Sequence, residues 1–311
     1  MSDLQLYDER YAIKPNGFIN TGANCYLNSI LQCLLSCTSI YKTLLHIKDT
    51  AAVKRNEMAQ LLINLYIAST EGRDVSGLNI NIWRQIIAHS SKRRSIVHMG
   101  TGQEDAHEGL CMLLESLENI HEIRRLFQHR YRTQIYCDAC AKYTVNKSET
   151  SLTFQIQSSL KTEQLPQFKD RDQYYNSTMT LNDFIRVQNG YIDDSFKCPE
   201  CNRTGAKFLR TVLTMAPEIL PIVLKKYTEK TQTDFPHKLM IPASDNKSLI
   251  YRLVAQCEHS GSMQGGHYWA VALRKTSELK YYMLNDSSVS EGIAGPTLNT
   301  YIAFYHIESV V

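Results

Sequence analysis

After residue 25 the apolar positions fall into a regular pattern. Leu27, Ile30, Leu31, Leu34 and Leu35 recur at i, i+3, i+4, i+7 and i+8, which predicts an amphipathic helix. Residues 51–69 read as a second helix. Residues 103–118 read as a third, with Ala106, Leu110, Leu113, Leu114 and Leu117 on one side. Helix dominates to about residue 130, and then the period changes. Leu152, Phe154 and Ile156 alternate with Thr153 and Gln155, the signature of a half-buried strand. Phe208–Met215 and Ile219–Lys225 also read as strands, and Thr180 is placed to cap a short helix before Leu181 and Phe184. From Leu249 onward strands alternate with turns, over Tyr251–Cys257, His267–Leu273 and Lys280–Leu284. Helices first and antiparallel strands afterwards predict an α+β fold.

Composition narrows the function classes. The 311 residues are long for one core and too few for three comfortable domains. The charge balance, 34 − 31 = +3, gives no bias toward nucleic acid or membrane surfaces. The basic run Ser91–Ser95 reads as a solvated loop. The N-terminal stretch lacks a signal-peptide apolar region, and no apolar run approaches the ~18 residues that span a bilayer. A reducing compartment, cytosol or nucleus, is therefore expected. There, nine cysteines imply thiols and metal ligands rather than disulfides.

Four of those cysteines form two C-x2-C pairs, Cys137 with Cys140 and Cys198 with Cys201, separated by 57 residues. Two such pairs supply the four soft ligands of a closed tetrahedral zinc site. Four protein ligands leave no position for water, so the expected role is structural. The competing reading is two unrelated pairs of free thiols.

Cys25 follows a loop rich in Gly and Asn and opens the first helix. A helix N-terminus favours a thiolate through its dipole and unpaired N–H groups. A thiol nucleophile also needs a base and an orienting group. His267 opens a strand after Gly265–Gly266, and Asn285 and Asp286 end the next one. An amide or carboxylate there is expected to accept the imidazole Nδ1–H and fix its tautomer. On spacing alone, His267 also fits a surface or satisfied core residue.

These motifs resemble those of the ubiquitin-specific protease family of deubiquitinating cysteine proteases. Gly17–Gln32, G-F-I-N-T-G-A-N-C-Y-L-N-S-I-L-Q, is similar to the family's cysteine box, G-L-x-N-x-G-N-T-C-Y-M-N-S-x-L-Q. Gln103–Leu117 resembles Q-Q-D-A-x-E-F-L-x-x-L-L-D-x-L, and the paired C-x2-C resembles the family's zinc ribbon. Residues 216–227 resemble the strand P-x-x-L-x-x-x-L-K-R-F, and Phe235-Pro236 with Leu239 resembles F-P-x-x-L. Tyr251–Leu273 is similar to the histidine box, and Tyr281–Val289 to W-Y-x-F-N-D-x-x-V. The likeness is collinear from Gly17 to the end of the sequence.

The resemblance implies a papain-like cysteine protease shaped as a right hand. Residues 1–16 form a lead-in and 17–311 the catalytic domain: a helical thumb over about 17–130, zinc-tipped fingers over 131–215 and a β palm over 216–311. It implies Cys25 as nucleophile, His267 as base, Asn285 as the third triad member, Asp286 as a supporting acid and Asn20 as the oxyanion-hole amide. It places Gln103, Asp105 and Glu108, with His259 and Tyr268, along the channel for ubiquitin's tail, whose arginines suit acidic groups. Asp105 and Glu108 fit equally as acids complementing a helix dipole. Ubiquitin is the implied partner of a monomer, with zinc as structural cofactor and neither nucleic acid nor membrane involved. Departures are Ala23-Asn24 for Asn-Thr, Gly109 for Phe, Tyr281 for Trp, and a short loop over 242–248, for which a wider cleft is the expectation. None removes a triad residue, so an active enzyme is expected. The alternatives are a protease for a ubiquitin-like modifier such as SUMO, or a catalytically weak ubiquitin-binding module.

Overall fold

The apolar stripe after residue 25 forms α1 (Cys25–Leu34), yet burial is not confined to the stripe: every residue of α1 is buried. The reason is its place between layers, with strands on one side and helices on the other. The computed structural model describes residues 5–92, 102, 104–137, 139–157, 178–180, 197–204, 207–225, 235–242, 247–262, 265–294 and 299–311.

After α1 the chain turns by 78° into α2 (Thr38–Ile47). The helix expected over 51–69 is two helices, α3 (Ala51–Arg55) and α4 (Glu57–Glu71). Asn56 makes the break: its backbone is extended, its N–H closes α3 on the Val53 carbonyl, and its Oδ1 caps α4 by accepting the Ala59 N–H at 2.9 Å. Gly72, at φ +72°, ends α4 in the left-handed conformation that glycine adopts without penalty. Then come α5 (Ser76–Lys92), α6 (Ala106–Ser116) and α7 (His121–Phe127).

Two sheets follow. β1 (His129–Cys137) pairs antiparallel with β2 (Lys142–Ser151) and with β5 (Lys207–Met215), giving the order β2-β1-β5. The large sheet contains β3 (Phe154–Gln157), β4 (Thr178–Thr180), β6 (Ile219–Lys225), β7 (Lys238–Pro242), β8 (Ser248–Ser262), β9 (Gly265–Lys275), β10 (Leu279–Asn285), β11 (Ser288–Glu291) and β12 (Thr300–Val310). Its main order is β11-β10-β9-β8-β12-β6-β3, with β7 also on β8 and β4 on β7. β3 and β4 fall within the expected 131–215 finger segment but pair into this palm sheet. Phe154 and Ile156 are apolar enough to be buried beside β6. Thr180 ends β4 rather than capping a helix, and residues 181–196, where that helix was expected, lie outside the described residues.

The lead-in is stitched to the body. The Tyr7 N–H donates to the Ile307 carbonyl at 2.8 Å, the Asp8 N–H to Thr38 Oγ1 at 3.0 Å, and the Lys275 N–H to the Ile13 carbonyl at 2.8 Å. No single helix among the described residues is long and apolar enough to cross a membrane.

β12 is buried on both faces and carries His306 at full burial. His306 Nδ1 faces the Ile307 carbonyl at 2.9 Å and must donate to it, so Nε2 accepts from Ser39 Oγ at 2.6 Å. Burial pushes this imidazole down to about 4 from an ordinary 6.5. The folded group is the weaker base, so the unfolded chain binds the extra proton between those values. His306 therefore contributes stability that is complete above about pH 6.5 and is lost as pH falls toward 4, by about 3 kcal/mol. Urea denaturation at pH 7 and pH 4.5 should show His306→Gln losing less stability on acidification than the parent chain, by about 2 kcal/mol. An unchanged difference would mean the imidazole titrates normally.

Candidate active site

Four short segments meet at the end of α1. The first is the loop before it. At Gly17 a Cβ would lie 2.6 Å from the Ser287 carbonyl oxygen, so only glycine lets the two backbones approach. The Phe18 N–H then donates to the Asp286 carbonyl at 2.8 Å. The Ile19 carbonyl accepts the side-chain amides of Asn24, Asn28 and Asn79, at 3.1, 3.2 and 2.8 Å. Asn24 Oδ1 takes the Thr21 N–H at 2.7 Å, so the residue that departs from the family's usual Thr ties the loop to its own helix. Cys25 is the first residue of α1 and only 4% exposed.

The second segment is the start of β9. Gly261, at φ +129°, and Gly266 pass so closely that a Cβ on either would meet backbone at 2.5 Å or less. A Cβ on Gly266 would also meet His259 Nε2 at 2.3 Å. His259 stacks on Tyr268 with centroids 4.3 Å apart, and the His267 side chain, 42% exposed, lies beside Trp269.

The third is the turn after β10. His267 Nε2 is 2.6 Å from Asn285 Oδ1 and 3.8 Å from Asp286 Oδ2. The sequence reading expected Nδ1–H to face the orienting group; the structure turns Nε2–H toward Asn285 and leaves the lone pair on Nδ1. The ring's rotation follows from how β9 meets the turn after β10, which residue types do not encode. Asp286 sits at φ +50°, a conformation that Asp tolerates better than most residues. Its Oδ2 accepts from Asn20 Nδ2 at 2.9 Å and its Oδ1 from Asn28 Nδ2 at 2.8 Å. One N–H of the Asn20 amide is thus held by Asp286, and Asn20 Oδ1 accepts the Gly22 N–H at 2.8 Å.

Burial pushes the Cys25 thiol above its ordinary range; hydrogen bonding to the Tyr268 backbone opposes this, and the Asp286 carboxylate adds to it. The helix terminus therefore does not by itself create a resting thiolate, and deprotonation needs a base.

The fourth segment begins α6. Asp105 Oδ1 accepts the N–H groups of His107 and Glu108 at 2.7 and 3.0 Å, and its Oδ2 accepts Tyr301 O–H at 2.7 Å. Asp105 is the helix cap. Burial, then Asp105 and Glu104, push the Glu108 carboxyl up. Gln103 lies outside the described residues. Tyr281, at the family's Trp position, sends its O–H to the Leu253 carbonyl.

Away from this centre, the Sγ atoms of Cys137, Cys140, Cys198 and Cys201 all lie within 4.8 Å of one another. Cys137–Cys201 and Cys140–Cys198 are 3.8 and 3.9 Å apart. A tetrahedral ion with ~2.3 Å arms requires sulfurs ~3.8 Å apart, so the cluster fits zinc. Each pair is followed by a left-handed residue, Ala141 at φ 53° and Asn202 at φ 61°, which curls the chain around the sulfurs.

Asn24, Asn28 and Asn79 are site residues that the sequence reading missed. The signal for two of them was present: Asn24 and Asn28 are polar, four apart, and flank the candidate nucleophile.

A protein-family model described as ubiquitin carboxyl-terminal hydrolase matches residues 16–305. Curated relatives include ubiquitin carboxyl-terminal hydrolase 36 of Drosophila mojavensis, 26% identical over 335 residues, covering 94% of this chain and 26% of the relative. The Drosophila melanogaster protein of the same name is 25% identical over 332 residues, covering 94% of this chain and 30% of its own. The chain thus spans under a third of the length of these two relatives. Among solved structures, the SAGA Ubp8/Sgf11/Sus1/Sgf73 DUB module bound to ubiquitin aldehyde aligns with TM-score 0.65 and 18% identity, over 100% of this chain and 73% of that one. The module bound to monoubiquitin aligns with TM-score 0.65 and 17% identity, over the same shares. These likenesses show a shared α+β fold.

Proposed function

Because the chain belongs to the ubiquitin carboxyl-terminal hydrolase family, we propose that it is a deubiquitinating thiol protease, cleaving the bond after the C-terminal glycine of ubiquitin. The observation that carries the reading is the 2.6 Å His267 Nε2–Asn285 Oδ1 contact. It fixes the imidazole tautomer with a basic Nδ1, and the buried Cys25 thiol, raised in part by the neighbouring Asp286 carboxylate, needs such a base.

His267 Nδ1 takes the Cys25 proton. The thiolate attacks the glycine carbonyl, giving a tetrahedral oxyanion that the second N–H of Asn20 and the N-terminal amides of α1 stabilise, by about 3–4 kcal/mol for a good donor. The imidazolium, held by Asn285 and faced by Asp286, protonates the leaving amine. Water then hydrolyses the thioester, with His267 again as base. Glu108 and Asp105 offer carboxylates to the arginines of ubiquitin's tail, and His259 and Tyr268 wall the same channel.

Zinc is the ion proposed for the four cysteines. It ties the turn after β1 to the turn before β5. Backbone N–H groups of Cys201 and Glu200 lower the Cys198 thiol, which favours its metal-binding form. Metal analysis should give about one zinc per chain. Cys201→Ser should lose it and slow ubiquitin labelling at least ~10-fold, while iodoacetamide labelling of Cys25 stays within ~3-fold. Equal loss of both reactions would mean the ion supports the whole fold.

The test of function is labelling by full-length ubiquitin bearing a C-terminal electrophile, read as a mass shift beside a SUMO probe. Ubiquitin labelling that disappears in Cys25→Ala supports the reading. Labelling by SUMO alone moves the substrate to a ubiquitin-like modifier, and no labelling by either leaves a binding module.

A further inference from the structure

Arg274 has no evident place in the chemistry, yet it is fully buried and among the largest wholly enclosed side chains. It forms no ion pair among the described residues. A buried guanidinium without a carboxylate costs several kcal/mol unless dipoles replace the counter-charge. Here most of the dipoles come from the C-terminal end of α1 and the turn after it, and one comes from the Leu273 carbonyl of β9. Nη2 donates to the Gln32 carbonyl at 2.8 Å and to Gln32 Oε1 at 2.5 Å. Nη1 donates to Ser36 Oγ at 2.6 Å and to the Leu273 carbonyl at 2.7 Å. The Gln32 carbonyl is one of the four that a helix end leaves without partners, and the negative pole of α1 faces the cation.

Gln32 continues the connection. Its Nε2 donates to the Asn16 carbonyl at 2.6 Å. Asn16 precedes Gly17 and Phe18, which lie against Ser287 and Asp286, and two residues further on is Asn20. Arg274 itself lies on β9, seven residues from His267. One guanidinium therefore links the helix of Cys25, the strand of His267 and the loop of Asn20.

We propose that Arg274 is a positioning residue of the catalytic centre, which through Gln32 fixes the helix of Cys25 and the loop of Asn20 against the strand of His267. The inference rests on the roles of Cys25 and His267 proposed above.

Gln32→Glu is the decisive variant. Its carboxylate keeps an acceptor for Arg274, with a charge added, and loses the donor to Asn16. The new ion pair and the lost hydrogen bond act in opposite directions on stability, so Tm should move by only a few degrees, while kcat on a ubiquitin substrate falls about tenfold and KM stays within threefold. Arg274→Lys, which keeps the charge but not the fork, should show the same kcat–KM split with a lowered Tm. Iodoacetamide alkylation of Cys25 across pH, which needs no ubiquitin, should shift its midpoint in both variants. Wild-type kcat and an unshifted alkylation profile in Gln32→Glu would overturn the proposal and leave Arg274 a stabilising residue only. If the parent chain turns over no ubiquitin substrate, the function reading fails, and the alkylation profiles alone decide the positioning role.

Discussion

Cys25→Ala should lower kcat for release of a C-terminal ubiquitin adduct by at least about 10⁴-fold, because removing a nucleophile that works as a unit with its base removes most of the catalysis. The fold should hold. The thiol is buried but small, so the loss is about 1 kcal/mol, a shift of a few degrees in Tm. Cys25→Ser should be nearly as inactive, since a hydroxyl is a far poorer acid than a thiol and the imidazole would ionise it much less. The measurement is release of a fluorophore from the ubiquitin C-terminus, with calorimetry on the same samples. Alanine-variant activity above about 1% of the parent would remove Cys25 from the mechanism.

The second large effect is expected at Asp286, and its parts have opposite signs. Asp286→Asn keeps a side chain that tolerates φ +50°. It removes the charge 3.8 Å from His267 Nε2, and it cannot accept from both Asn20 and Asn28. The imidazolium formed during turnover loses support and Asn20 loses its anchor, so kcat should fall about 10²-fold. An unpaired amide in a largely buried cluster costs about 1–2 kcal/mol of stability. The Cys25 thiol, however, is raised partly by this same carboxylate. Without it the thiol ionises at lower pH, so iodoacetamide should alkylate Cys25 faster at pH 7 even as turnover slows. Slower alkylation together with slower turnover would mean that Asp286 acts by holding the loop alone.

Much of this centre is legible along the chain, because its local parts are short-range. The helix after residue 25 follows from apolar spacing, and the glycines mark where backbones approach. What is not legible depends on distant packing. Asn79 reaches Ile19 across 60 residues. The tautomer of His267 depends on how β9 meets the turn after β10, and the chain offers equal grounds for Nδ1. Arg274, before a lysine at a strand end, reads as a solvated terminus. Its burial becomes clear only in the fold, where Ala270 through Arg274 are all buried and no alternation marks a face. β12 was missed for another reason: a strand buried on both faces has no alternation to detect.

The position of β12 bears on how such a protein comes off the ribosome. This strand, residues 300–310, lies between β8 and β6 in the middle of the large sheet, and Asp286 closes the loop of Asn20 across 266 residues. At about 5–20 residues per second, roughly 10–50 s pass between synthesis of residue 20 and of residue 286. During that interval the nascent thiol has neither its base nor its orienting amide. A chain interrupted before residue 300 leaves β8 and β6 without the strand that joins them, so such a fragment should lack the activity proposed for the whole chain.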